Sequence, residues 1–161
     1  MCYTVIIGGD IMELNTAATF IGHNECYGIT KEQVKVAIVE LIEKGVIDFL
    51  SGGQGGFDRM CAGCVKELKE KYPHINNILV IPYLNFNVFN KEIFDLILYP
   101  EGFEKYHFKA AIPARNKYMV NNSSYAICYV THGWGGAAQT YEIARKKGLK
   151  IINIGGNENE R

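Results

Sequence analysis

Apolar residues fall along the chain in two kinds of run. The first kind is short and apolar nearly throughout, over 17–21, 46–50, 78–81, 125–130 and 150–154, each bounded by glycine, proline or polar residues. Runs of that length predict strands buried on both faces. The second kind is spaced for one face of a helix. Val34, Ile38, Leu41 and Ile42 share such a face, Thr30 and Gln33 form a capping box ahead of them, and Gly45 supplies the stop, which predicts a helix over 31–44. Further helices are expected over 58–71, closed by Pro73, from Pro113 to about Asn122, and over 137–147, stopped by Gly148.

Strands alternating with helices, and strands apolar on both sides, point to an α/β fold. The expected architecture is a Rossmann-like three-layer αβα sandwich with a mainly parallel sheet of five or more strands, built as one domain over 1–161. Two segments fit that rhythm less well. Residues 1–11 read as an extension or an extra edge strand. Residues 83–112 are aromatic, broken by Pro100 and Gly102, with one helix expected around 91–98. That stretch is too long for an ordinary connector and reads as a lid or a packing insertion. The polar tail from Gly155 is expected to fray.

Composition narrows the partners. Lys plus Arg equals Asp plus Glu at 17 each, so no global field draws the chain to nucleic acid or to an anionic membrane, and neither is expected as a partner. No apolar run approaches the roughly 18 residues of a bilayer span, and the N-terminus lacks a signal-peptide pattern, so a cytoplasmic location is expected. Five scattered cysteines read as free thiols of a reducing compartment. Cys61 and Cys64 fall inside a helical pattern beside Met60, Val65 and Leu68, with no second Cys/His pair at a fitting spacing. They read as buried thiols, and no metal or cofactor is expected.

Seventeen glycines, many clustered, ask for an explanation. In an open parallel sheet, ligands bind beyond the carboxyl ends of the strands, where the strand order reverses. With the usual 3-2-1-4-5 order of the five expected strands, three loops gather there: Gly22-His23, Ser51-Gly52-Gly53-Gln54-Gly55-Gly56, and Thr131 to Gly136. Glycine lets backbone approach a ligand closely, and the helix after each loop offers unpaired N–H groups to an anion. Neither long loop carries the Gly-Lys-Ser/Thr of a Walker motif or a clean G-x-G-x-x-G, which disfavours phosphoryl transfer from ATP and a dinucleotide dehydrogenase.

Candidate ligand residues follow from that placement. His23 faces the crevice as a base or ribose contact or as a turn histidine. Asp58 accepts from ribose hydroxyls or caps its helix. Arg115 is read as opening a helix, where its charge opposes the dipole, so a bidentate grip on phosphate is expected, with Asn116 as a neutral donor beside it. Gly133, Trp134, Gly135 and Gly136 shape the second phosphate loop, with Trp134 stacking on a base or shielding the loop, and Thr140 donating to phosphate or packing. Glu142 lies two turns after Gly135 and either looks into the crevice or faces solvent. Tyr83, Phe86, Phe89 and Phe94 either line a base pocket or belong to the core.

The strings Thr19-Phe20-Ile21-Gly22-His23, Ser51 to Arg59, Val80-Ile81-Pro82-Tyr83, Arg115 to Val120, and Gly135-Gly136 with Thr140 resemble the YpsA-like branch of the SLOG superfamily. The resemblance spans 17–154. It implies a Rossmann-like fold, a site for nucleotides or their derivatives, a ligand-sensing role and a homo-oligomer, by analogy a dimer. The superfamily takes its name from the Smf/DprA proteins and the "lonely guy" (LOG) enzymes. The LOG enzymes cleave a base from a nucleoside monophosphate with an R-K-x-x-M … P-G-G-x-G-T-x-x-E pattern. Arg115, Met119, Gly135, Gly136 and Glu142 match it, whereas Asn116, Trp134, Ala138 and Gln139 depart from it, and Asn24 replaces the family's arginine after the Gly-His pair. The resulting expectation is binding of a phosphate-bearing, nucleotide-derived small molecule. Phosphoribohydrolase activity, with Arg115 and Glu142 as the catalytic pair, is the alternative.

Overall fold

The computed structural model describes residues 16–156 in full and residues 5–8 by their backbone. Seven strands form one sheet: β1 (Val5–Gly8), β2 (Ala17–Gly22), β3 (Asp48–Ser51), β4 (Asn76–Val80), β5 (Leu96–Pro100), β6 (Tyr125–Tyr129) and β7 (Lys150–Asn153). Their order is β1-β5-β4-β3-β2-β6-β7, and every pairing is parallel. Among the described residues the α-helices are α1 (Lys31–Glu43), α2 (Gly56–Leu68), α3 (Phe108–Asn121) and α4 (Gly136–Lys147).

The expected 3-2-1-4-5 order is present as β4-β3-β2-β6-β7, extended by β5 and β1 beyond β4. From β2 the chain steps outward strand by strand to β5, then α3 carries it back across to β6 on the other side of β2. The order therefore reverses between β2 and β6, and their carboxyl ends flank the crevice. Residues 5–8 are the extra edge strand; the rest of the 1–11 segment lies outside the described residues, as do residues 12–15 and the part of the tail from 157.

Core packing explains the layers. Ala18, Phe20, Phe49 and Ile127 present one face of the sheet to Val34, Ile38 and Leu41 of α1 and Phe57, Cys61 and Val65 of α2. On the other face, Leu50, Val80 and Leu98 meet Met119, while Ile21, Ala126 and Cys128 meet Val120 and Ala144. Thr30 caps α1 through the full box, accepting from the Gln33 N–H while the Gln33 side chain accepts from the Thr30 N–H. Gly45, at φ +95°, supplies the left-handed stop.

Two helical expectations need correction. Residues 91–98 hold a single 3₁₀ turn, Lys91–Ile93, followed by β5 rather than a helix. Within 83–112, Phe86, Val88 and Phe94 pack against Leu79, Ile81, Ile97, Tyr99 and Phe103. The third expected helix begins five residues before Pro113. His107 is its N-cap and accepts the Lys109 N–H at 3.4 Å, and Pro113 lies inside α3. The four described cysteines are free, and Cys61 and Cys64 fill the inner face of α2. Burial raises both thiols, Cys64 to about 11, as expected of inert packing groups.

Candidate functional site

Three loops leave the carboxyl edge of the sheet at its reversal point, but they differ in what their amides do. The Ser51–Gly56 loop is filled by the protein itself. The Gln54 N–H donates to Asp58 Oδ2 at 3.3 Å, the Gly52 N–H reaches the same carboxylate, and the Gly56 N–H is shared by Asn24 O at 2.9 Å and Asn24 Oδ1 at 3.0 Å. Asp58 is the third residue of α2, one turn past the Gly55 N-cap position, and its carboxylate sits where an external anion was expected. Burial pushes its pKa up to about 6 against the opposing pull of Arg115 and of the Gln54 and Gly52 amides.

The glycines of that loop make room for side chains of the chain. A Cβ on Gly52 would lie 2.7 Å from the Arg115 guanidinium carbon, and one on Gly56 would lie 2.2 Å from Asn24 O. Gly53 and Gly55 adopt φ of +62° and +92°. Ser51 ends β3 with its hydroxyl buried and without a partner. Gly22 admits the Phe57 ring, which a Cβ would meet at 2.2 Å.

Arg115 does not open a helix. It lies mid-way along α3 and is only 2% exposed. Its Nη1 donates to Gly52 O at 2.7 Å and Val80 O at 3.3 Å, Nη2 to Gln54 Oε1 at 3.1 Å, and Nε to Asn116 Oδ1 at 2.9 Å. Four of a guanidinium's five N–H donors are thereby spent. The side chain ties β4, the first glycine loop and α3 together, which the expected bidentate grip on phosphate did not anticipate. Burial lowers its pKa and Asp58 raises it. Asn116 accepts from Arg115 and keeps its amide hydrogens for the cleft it lines.

The third loop is open. Gly135 is the N-cap residue of α4 at φ +91°, no side chain caps the helix, and a Cβ on Gly133, Gly135 or Gly136 would meet nothing within 4 Å. The first-turn N–H groups of α4 thus lack intrahelical acceptors and carry the positive end of its dipole. Thr140 is turned to its own helix, its hydroxyl donating to Gly136 O at 2.9 Å.

His23 and Trp134 are linked by a residue the sequence reading missed. The His23 ring stacks on His132 with centroids 3.8 Å apart, and His132 stacks on Trp134, again at 3.8 Å. His23 Nε2 accepts the Thr131 N–H at 3.0 Å, which fixes the tautomer as neutral with the proton on Nδ1. Burial and the neighbouring His132 both lower the His23 pKa. Nothing in the Thr131-His132-Gly133-Trp134 string signals this stacking, because it depends on a residue 109 positions away from His132 meeting it across the sheet edge.

These groups surround a cleft of about 550 Å³ lined by Gly22, Asn24, Asp58, Arg115, Asn116, Gly136, Ala137 and Thr140. A neighbouring cleft of about 560 Å³ runs along His23, Tyr27, His132 and Trp134 and shares Gly22, Asn24, Gly136 and Ala137 with it. Glu142 enters neither. It pairs with Arg145 at 2.9 Å and lines a third cavity with Thr131, Tyr141 and Gly155. Tyr83 and Phe89 are not among the residues lining the two joined clefts; Phe86 packs in the core and under Arg115, at 5.8 Å. Among the described residues no cluster of His, Cys, Asp and Glu is arranged to hold a metal, and no helix is long and apolar enough to cross a membrane.

Comparison with known proteins places this geometry in context. Residues 5–150 match the family described as the YspA SLOG family. The chain is 27% identical over 137 residues to the SPbeta prophage-derived protein YoqJ of Bacillus subtilis, covering 72% of this chain and 80% of that one. It is 29% identical over 133 residues to a UPF0398 protein of Halalkalibacterium halodurans, covering 74% and 70%. The fold is similar to DNA processing protein A of Helicobacter pylori, for which a single-stranded DNA binding mode is described, with TM-score 0.63, 16% identity, and 91% and 68% coverage. It is also similar to DprA of Streptococcus pneumoniae, with TM-score 0.66, 18% identity, and coverage of 94% of this chain and 54% of that one.

Proposed function

The chain belongs to the YspA SLOG family, and from that premise we propose that it binds a phosphate-bearing, nucleotide-derived small molecule in the cleft between the ends of β2 and β6, without turning it over. The observation that carries this reading is the contrast between the two glycine loops. One has its Gly52, Gln54 and Gly56 amides occupied by Asp58 and Asn24, while the glycines at the start of α4 have open space beside them and face the cleft that Arg115 and Asn116 line. A helix N-terminus with free N–H groups suits a phosphate without requiring an excess of basic residues, in keeping with a net charge of zero.

Turnover of the LOG kind needs a carboxylate at the ribosyl centre beside the arginine. Glu142 lines a different cavity from Arg115 and is held by Arg145, so the pair does not meet over one substrate. Single-stranded DNA, described for the Helicobacter pylori neighbour, is the rival ligand; the balanced charge and the absence of a basic stripe in the sequence speak for the small molecule. Calorimetric titration with nucleoside mono- and diphosphates and ADP-ribose tests the reading, with saturable heat expected for at least one. A flat response across that panel overturns it. Release of free base from a nucleoside monophosphate, abolished by Glu142→Gln, would restore the hydrolase.

A further inference from the structure

In the column of His23, His132 and Trp134 the inner ring alone belongs to the strings that carry the family resemblance, and the column's outer end is unused. Trp134 is 73% exposed although its inner face lies flat on His132, the rings inclined by only 18°. The next pair, His132 on His23, is inclined by 14°. The loop around Trp134 carries no side chain able to cover the outer face, because Gly133, Gly135 and Gly136 flank it and the space beside each is open. Fold stability does not account for the arrangement. An indole left largely in water gains little from burial, and His132 Nδ1 is buried without a partner, which is a cost.

The position of the ring says what it suits. Trp134 lines the cleft that shares Gly136 and Ala137 with the Arg115 cleft, so one wall, the first turn of α4, serves both. An aromatic group lying on Trp134 has free amides one and two residues farther along the chain. A flat ring carrying an anion a short distance away therefore matches the surface in both shape and charge. An apolar peptide side chain would match only the ring.

We propose that Trp134 is a nucleobase platform: the base of a nucleoside phosphate, free or within a strand, stacks on its outer face while the phosphate meets the α4 amides. This rests on the nucleotide-binding reading above and adds where the base lies. The His23–Thr131 hydrogen bond keeps the platform in place through His132, so the ring is ordered before ligand arrives, which lowers the entropic cost of stacking.

Trp134 is the one tryptophan of the sequence, so its emission reports on its own ring. AMP, ribose 5-phosphate and an oligothymidylate are titrated separately, with binding read by calorimetry and stacking by fluorescence. AMP should quench emission over the range in which it gives heat, and ribose 5-phosphate should give heat without quenching. Trp134→Ala should weaken AMP by about tenfold and leave ribose 5-phosphate unchanged, and Trp134→Phe should recover most of the loss. Quenching by the oligothymidylate alone supports the platform and identifies the strand as its ligand. AMP heat with unchanged emission, and equal affinity for Trp134→Ala, overturns the platform and leaves the phosphate site standing. No heat and no quenching from any of the three overturns both. The ring is exposed, so an unchanged melting temperature for Trp134→Ala confirms that the variant folds.

Discussion

Asp58 and Arg115 are both buried and both charged groups of one cleft, yet they form no direct ion pair, and their protonation is open to measurement. The folded chain holds the Asp58 proton up to a pKa of about 6, against 3.8 for an ordinary aspartate. Folding is therefore favoured while the group is protonated. Its contribution is full below about pH 4, declines as pH rises to about 6, and is absent above that. The difference corresponds to about 3 kcal/mol. Urea unfolding of wild type and Asp58→Asn at pH 4 and pH 7 should show wild type losing roughly that much relative to the variant; parallel pH profiles would show the carboxylate to be solvated. Arg115 carries the opposite prediction. Arg115→Met keeps much of the volume but leaves Gly52 O and Val80 O without their donor, which should cost about 2–4 kcal/mol. It should also drive the Asp58 pKa higher, because the one opposing cation is gone. A variant as stable as wild type would make Arg115 a ligand residue with no structural duty.

At the scale of elements, α1 and α4 have beginnings and ends that were both readable to within a residue, since a capping box and a left-handed glycine after the last turn are local devices. Thr30→Ala should lose about 1 kcal/mol in denaturant unfolding, and a loss within error would mean that packing alone fixes the helix start. The strands β2, β3, β4, β6 and β7 were readable for a related reason: a short apolar run bounded by glycine, proline or polar residues has few alternatives. β5 was not. Ile93, Phe94, Ile97 and Leu98 suit a helical stripe as well as a strand, and only pairing with β4 and β1 decides between them. Pro113 misled for the converse reason, because a proline expected at the start of a helix is tolerated inside one whose first turn His107 caps. The candidate site shows the same division. Clustered glycines marked both loops and the reversal point, but which acceptor fills which loop is a matter of reach between distant residues. Asn24 closing on Gly56, Asp58 closing on Gln54, and His132 completing the ring column left no trace in spacing.

For the molecule as a whole, the balance of 17 cationic and 17 acidic side chains constrains how any nucleotide can be held. A strand gripped through several lysine or arginine contacts releases a counterion at each, and its affinity falls by orders of magnitude over a modest rise in salt. A single nucleotide carries no condensed counterion layer, and neutral backbone N–H groups at a helix start displace no such ions. Nucleotide affinity measured at 50 and 200 mM salt should therefore change by less than about threefold. The same measurement on an oligonucleotide separates the alternatives. A shallow slope there means that one nucleotide of the strand occupies the cleft. A steep slope, unaffected by Trp134→Ala, would require a basic surface elsewhere on the fold and would move the function away from the crevice at β2 and β6.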